Sequence, residues 1–111
     1  MTSVSASASG GTFSSGVVNK STSSVIRDSV LSASGGTYNS GLHNSADGGI
    51  YAVTVRNSQV TGSTNTIFND SEYTTLVAAT LLDGGAVSNL GTLTCAGVYD
   101  EAYVFYASTC P

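Results

Sequence analysis

Apolar residues in this chain recur at long, nearly fixed intervals. The stretch Ala8-Ser9-Gly10-Gly11-Thr12-Phe13-Ser14-Ser15-Gly16-Val17-Val18-Asn19 returns as Ala33-Ser34-Gly35-Gly36-Thr37-Tyr38-Asn39-Ser40-Gly41-Leu42-His43-Asn44, a step of 25 from residue 8 to residue 33. A repeat of that length marks a stack of small units, each unable to bury its apolar side alone. In the first strand of each unit, just before the Asn or Asp that ends it, one position stays apolar: Val17, Leu42, Ile67 and Val98. The position after it varies freely: Val18, His43, Phe68 and Tyr99. Successive strand residues face opposite ways, so the fixed series is expected inside and the variable one outside.

A second strand motif follows in each unit. Ile26-Arg27-Asp28-Ser29-Val30-Leu31 matches the segments that start at Val55 and Val77, steps of 29 and 22. Ile26, Val55 and Val77 then form one aliphatic column, and Leu31, Val60 and Leu82 another, with Ser29, Ser58 and Thr80 between them. The pattern predicts two short strands per repeat. A coiled coil would lose its seam with such an uneven period. A solenoid of strands tolerates it, because extra residues such as Asp47-Gly48-Gly49 bulge from a turn. Ser, Thr, Gly and Val dominate the chain, and all are poor helix formers.

Polar residues sit at the strand ends. Asn19, Asn44, Asn69 and Asp100 are expected to turn the chain in left-handed conformations. Their stacked side chains are also expected to hydrogen-bond from one rung to the next. Asp28 and Asn57 are expected to form the corresponding ladder at the second turn, where Ala79 has no polar side chain to contribute.

The Gly-apolar-X-Asn and Ile-X-Asn-Ser-X-(Leu/Val) motifs resemble the right-handed parallel β-helix repeat proteins of bacteria and their phages, over residues 8–82. The runs 77–85 and 91–101 are similar to the C-terminal end of surface or tail-fibre-like members. The resemblance implies an all-β fold: a right-handed parallel β-helix, or β-solenoid, of about three rungs plus a C-terminal cap. Rungs are expected over 1–94 and a capping segment of the same domain over 95–111. Within that segment Tyr103-Val104-Phe105-Tyr106 has no counterpart in the repeats, and a terminal element must cover the apolar end of the stack.

Composition narrows the partners. The chain has 111 residues, enough for one domain with a modest core, with 9% charged and 41% hydrophobic residues. Its basic residues are Lys20, Arg27 and Arg56, and the net charge is −4. That set cannot build the basic stripe that nucleic acid or an anionic membrane surface requires. No apolar run approaches the roughly 20 residues of a membrane-spanning helix. Residues 1–20 lack the basic start and apolar core of a signal peptide. A targeting signal is therefore expected upstream, in a longer protein from which this chain is cut. Cys95 and Cys110 form either a disulfide or two free thiols. The disulfide is the preferred alternative and would favour an oxidising, extracellular or cell-surface location.

Candidate chemistry is sparse. His43 is the only histidine and falls at an outward position, so no catalytic triad can be assembled around it. Asp28, Asp70 and Asp100 fall at turns, which suits turn chemistry better than acid–base work. Asp70-Ser71-Glu72 and Asp47-Gly48-Gly49 offer oxygen ligands, but neither has a repeat-type calcium signature, and both are taken as ordinary loop acids. No catalytic residue, metal or cofactor is assigned. Arg27 and Arg56 share one outward position in adjacent rungs. Tyr38, Tyr51, Tyr73 and Tyr99 are expected at outward or loop positions, fit for an oligomer interface or a glycan. The expected function is structural: the end of a longer solenoid in a surface or fibre protein, self-assembling as a homo-oligomer such as a trimer. The alternative is a carbohydrate-binding or carbohydrate-cleaving β-helix, since this architecture hosts many functions.

Overall fold

The computed structural model describes residues 1–111 and contains strands and turns but no helix. An opening strand, β1 (Ser5–Ser9), precedes three similar turns of chain. The first turn holds β2 (Phe13–Lys20), β3 (Ser24–Arg27) and β4 (Val30–Ser34). The second holds β5 (Tyr38–Ser45), β6 (Tyr51–Arg56) and β7 (Gln59–Gly62). The third holds β8 (Asn65–Asn69), β9 (Tyr73–Ala78) and β10 (Leu81–Gly84). A shortened fourth pass contributes β11 (Ser88–Asn89), β12 (Thr92–Ala96) and β13 (Val98–Tyr99), and β14 (Phe105–Tyr106) follows.

These strands stack into three sheets around one core. Sheet I runs β1-β4-β7-β10-β13-β14, sheet II runs β11-β8-β5-β2, and sheet III runs β12-β9-β6-β3. Every pairing is parallel except β13 with β14. The chain is therefore a β-solenoid of about three turns, as a parallel β-helix should be.

Each turn carries three strands where the sequence pattern predicted two. The reason lies at Asp28, Asn57 and Ala79, which adopt positive φ of 51°, 50° and 47°. Each breaks the apparent second strand into one strand of sheet III and one of sheet I. Ser3 and Gly97, at φ 54° and 67°, repeat the bend above and below. The hydroxyls of Ser29, Ser58 and Thr80 then donate to the carbonyls of Arg27, Arg56 and Ala78, bridging each bend at 2.7–2.9 Å. A non-glycine residue in the left-handed region costs about 1–2 kcal/mol, so the corner needs such support.

The aliphatic columns form as expected, with one exception. Ile26, Val55 and Val77 are in register in sheet III, and Cys95 extends them. Leu31, Val60 and Leu82 are in register in sheet I, and Ala6 precedes them. Val17, Leu42 and Ile67 are in register in sheet II. Val98, expected to continue the Val17 series, lies instead in β13 of sheet I, where the next residue, Tyr99, pairs with Leu81. Val98 is still fully buried. Burying each such side chain contributes about 1.5–3 kcal/mol.

The polar ladder divides into two devices. Asn19, Asn44 and Asn69 lie within strands rather than in left-handed turns, and their amides point inward. Asn19 Nδ2 donates to Asn44 Oδ1 at 2.8 Å, and Asn44 Nδ2 to Asn69 Oδ1 at 3.1 Å. Asn69 Nδ2 donates to Asn89 Oδ1 at 2.9 Å, so Asn89 takes the fourth place that was expected of Asp100. At the corner, Asn57 Nδ2 donates to Asp28 Oδ1 at 2.6 Å, the rung-to-rung bond expected there.

Candidate functional site

Sheet II carries the most distinctive outer surface. In β2 and β5 the in–out alternation slips by one residue at Gly16 and Gly41. A Cβ on Gly16 would stand 2.8 Å from the backbone of Gly41 and Ser32, and one on Gly41 would stand 2.8 Å from the Thr61 carbonyl. Only glycine lets the two strands press this closely against sheet I. Aromatic side chains rise on both sides of that point.

On one side Phe13 and Tyr38, paired in register, stack with ring centroids 5.2 Å apart and an interplanar angle of 18°. On the other, His43 and Phe68, also in register, meet edge to face at 4.8 Å. Between them Ser15, Ser40 and Asn65 form one row across three strands. The result is a groove of about 160 Å³ with aromatic walls and a hydroxyl and amide floor. No carboxylate, lysine or arginine lines it. Burial holds His43 below the usual imidazole range, partly offset by the negative charge of Asp70. The groove is therefore uncharged at neutral pH.

The two ends of the solenoid differ. At the C-terminal end the last residues cross all three sheets. Phe105–Tyr106 pairs with β13 of sheet I, and the Ala107 carbonyl accepts from Gly97 N at 3.1 Å. Cys110 is disulfide-bonded to Cys95 of sheet III, with Cα atoms 5.3 Å apart. The Pro111 carbonyl accepts from Val87 N beside β11 at 3.1 Å. Asp100 organises the hairpin: its Oδ1 accepts from the backbone of Ala102 and Val104, and its Oδ2 accepts from the Tyr106 hydroxyl at 2.8 Å. The Val104 amide, then the Tyr106 hydroxyl, lower the Asp100 pKa, and the same carboxylate raises that of Tyr106. The expected lid is narrower than the aromatic run, for Tyr106 packs on the core whereas Tyr103, Val104 and Phe105 are exposed.

At the other end β1 covers β4, and Thr2 bridges to Arg27 at the end of β3. β2 is the outermost strand of sheet II, so one side of its eight-residue backbone has no partner strand. Phe13 and Val18 are exposed along it, and Val17 is only half-buried.

The remaining candidate residues fall as follows. Arg27 and Arg56 are neighbours in register and exposed on sheet III. Tyr38 is exposed in the groove, and Tyr99 is exposed beside Phe105, with ring centroids 5.2 Å apart. Tyr73 is a correction: it is fully buried, and its hydroxyl donates to the Asn19 and Thr22 carbonyls at 3.1 Å. Tyr51 is half-buried against it. Both lie in register on the inward alternation of sheet III, two residues before Val53 and Thr75, which the outward-facing alignment did not anticipate. The groove residues Phe13, Ser40 and Phe68 were also missed as a set, because each occurs at a different point of the repeat.

Asp100 and Glu101 border a separate cavity of about 240 Å³ with Tyr106, but Asp100 is engaged by its hairpin bonds. No group of three or more His, Cys, Asp or Glu side chains converges to hold a metal ion. No helix is long and apolar enough to cross a membrane. In comparisons with known proteins, no family model matches this chain, and no curated protein or solved structure matches it significantly.

Proposed function

We propose that this chain is a non-enzymatic structural domain, the C-terminal end of a longer β-solenoid in an extracellular surface or fibre protein. The supporting observation is the asymmetry of its ends. One end is closed by a tail bonded to all three sheets, whereas the other presents an open eight-residue strand edge. Open edges pair readily with further strands, and further rungs or a second chain would supply them. The disulfide fits an oxidising compartment. Self-assembly as a homo-oligomer, a trimer included, completes this reading.

Light scattering on a sizing column without reductant tests it. A mass that is a multiple of 11.1 kDa supports assembly through the open end. A monomer at all concentrations removes self-assembly from the proposal. Release of reducing sugar from a polysaccharide would overturn the non-enzymatic assignment. The carbohydrate alternative is favoured by one observation, the groove on sheet II, and that observation concerns binding rather than cleavage.

A further inference from the structure

We propose that the groove across β2, β5 and β8 binds a neutral hexopyranose unit of a polysaccharide. This inference stands apart from the structural role, since the groove lies on the lateral face rather than at either end.

The chemistry of the walls comes first. A pyranose ring has one face of C–H bonds carrying slight positive charge and a rim of hydroxyls. Aromatic faces are negative and aromatic edges positive, so a ring face accepts that C–H surface. Phe13 and Tyr38 hold nearly parallel rings at one wall, and Phe68 and His43 hold a second pair opposite. All four are carried on paired strands rather than loops, so little freedom is lost when a ligand arrives.

The floor supplies the second, independent observation. Ser40 is about nine-tenths buried, yet its hydroxyl makes no hydrogen bond within the chain and borders the groove. The hydroxyl oxygen itself stays open on the groove side, where it can exchange water for a ligand. A ligand hydroxyl would satisfy it. Asn65 beside it commits Nδ2 to the Ala86 carbonyl at 2.9 Å, leaving its carbonyl oxygen to accept. Ser15 completes a row in which donors and acceptors alternate with the freedom that sugar hydroxyls require.

Size and charge select the ligand class. Sites for drug-sized molecules span about 300–1,000 Å³. At about 160 Å³ this groove suits one sugar ring of a longer chain that continues along the open face. With no cationic side chain in the lining, an acidic sugar finds no counter-charge there. A neutral hexose loses nothing by that.

The test is a titration of the intact, disulfide-bonded chain, ¹⁵N-labelled, with cellohexaose, maltohexaose, laminarihexaose and mannohexaose. Hexagalacturonate serves as the acidic comparator. The expected result is saturable movement of the Ser15, Ser40 and Asn65 amides with at least one neutral hexamer. Tyr38→Ala and Phe68→Ala should each weaken that binding about tenfold or more, while Tyr38→Phe keeps it near the parent value. An unchanged melting temperature separates these losses from unfolding, and Tyr38 is half-exposed, so its truncation leaves the core intact. Three results overturn the proposal: no saturable shift with any of the four, shifts that map elsewhere, or tighter binding of hexagalacturonate. Concentration-dependent self-association that moves the same amides without sugar would also overturn it, because a second copy would then be the occupant. None of these outcomes bears on whether the chain ends a solenoid, which the molar mass tests separately.

Discussion

The two ends of this solenoid face one physical problem and answer it differently. A stack of rungs exposes core at each end and leaves three strand edges unpaired. At the C-terminal end a short tail crosses sheet I, sheet III and sheet II in turn, and a disulfide fastens it at its penultimate residue. Val98, Cys95 and Leu82 beneath it are fully buried. At the opposite end β1 protects sheet I and residues 1–3 bond to β3 of sheet III, whereas sheet II has no covering strand and its column begins with a half-buried Val17 beside an exposed Val18. Equivalent positions of one column therefore differ in how much they stabilise the fold, by their distance from the open end.

The largest contrast comes from placing a charge in that column. Leu42→Asp buries an unpaired carboxylate in mid-stack, a penalty beyond the few kcal/mol of a small domain's stability. The protein should fail to fold, as judged by loss of the β-sheet circular dichroism signal. Val17→Asp, one rung nearer the open end, should fold with a lowered melting temperature. Equal behaviour of the two variants would erase the distinction between the ends.

Reduction of Cys95–Cys110 ranks next. The bond closes a loop of 15 residues. In the chain-entropy model its loss removes about 3 kcal/mol. The melting temperature should fall on adding reductant, and hydrogen exchange should accelerate first in β12–β14 rather than in β2.

The asparagine ladder offers a smaller contrast. Asn44 bonds on both sides, to Asn19 and Asn69, and also to the buried Thr75 hydroxyl. Asn44→Ala should lower stability by about 1–3 kcal/mol in denaturant unfolding. Asn19→Ala should lower it less, because Asn19 ends the ladder at the open side.

The smallest effect belongs to pH at the cap. The Asp100 carboxyl titrates below its ordinary value of 3.8 in the folded protein. Its contribution is present above that value and is lost as pH falls through the folded one. The Tyr106 hydroxyl titrates above its ordinary value of 10.0. Its contribution is present below that value and is lost as pH rises through the folded one. The melting temperature of the parent should exceed that of Tyr106→Phe at neutral pH, and the gap should close at both extremes.

Much of this fold could be read from the chain because its repeat is carried by side chains that contact their own copies. Ile26, Val55 and Val77 match in sequence and in space for the same reason: each buries its side chain against the next. Leu42 and Ile67 behave alike. Where the repeat shortens, the correspondence failed. The fourth pass reaches Asn89 only 20 residues after Asn69, outside the spacing of the earlier turns, so Asp100 and Val98 were aligned to the wrong sheet. The third strand was hidden because a left-handed Asp28, Asn57 or Ala79 bends the backbone without interrupting the apolar pattern.

The sequence alone determined the solenoid, its aliphatic columns and the pairing of adjacent rungs, since a period and its tolerance for insertions are one-dimensional properties. Only the tertiary structure decided that the tail seals one end, that Tyr73 turns inward, and that Phe13, Tyr38, His43 and Phe68 frame a groove. Those features depend on which strands lie side by side and on where glycine lets two sheets approach. Both arise from packing in three dimensions, between residues that no local pattern connects.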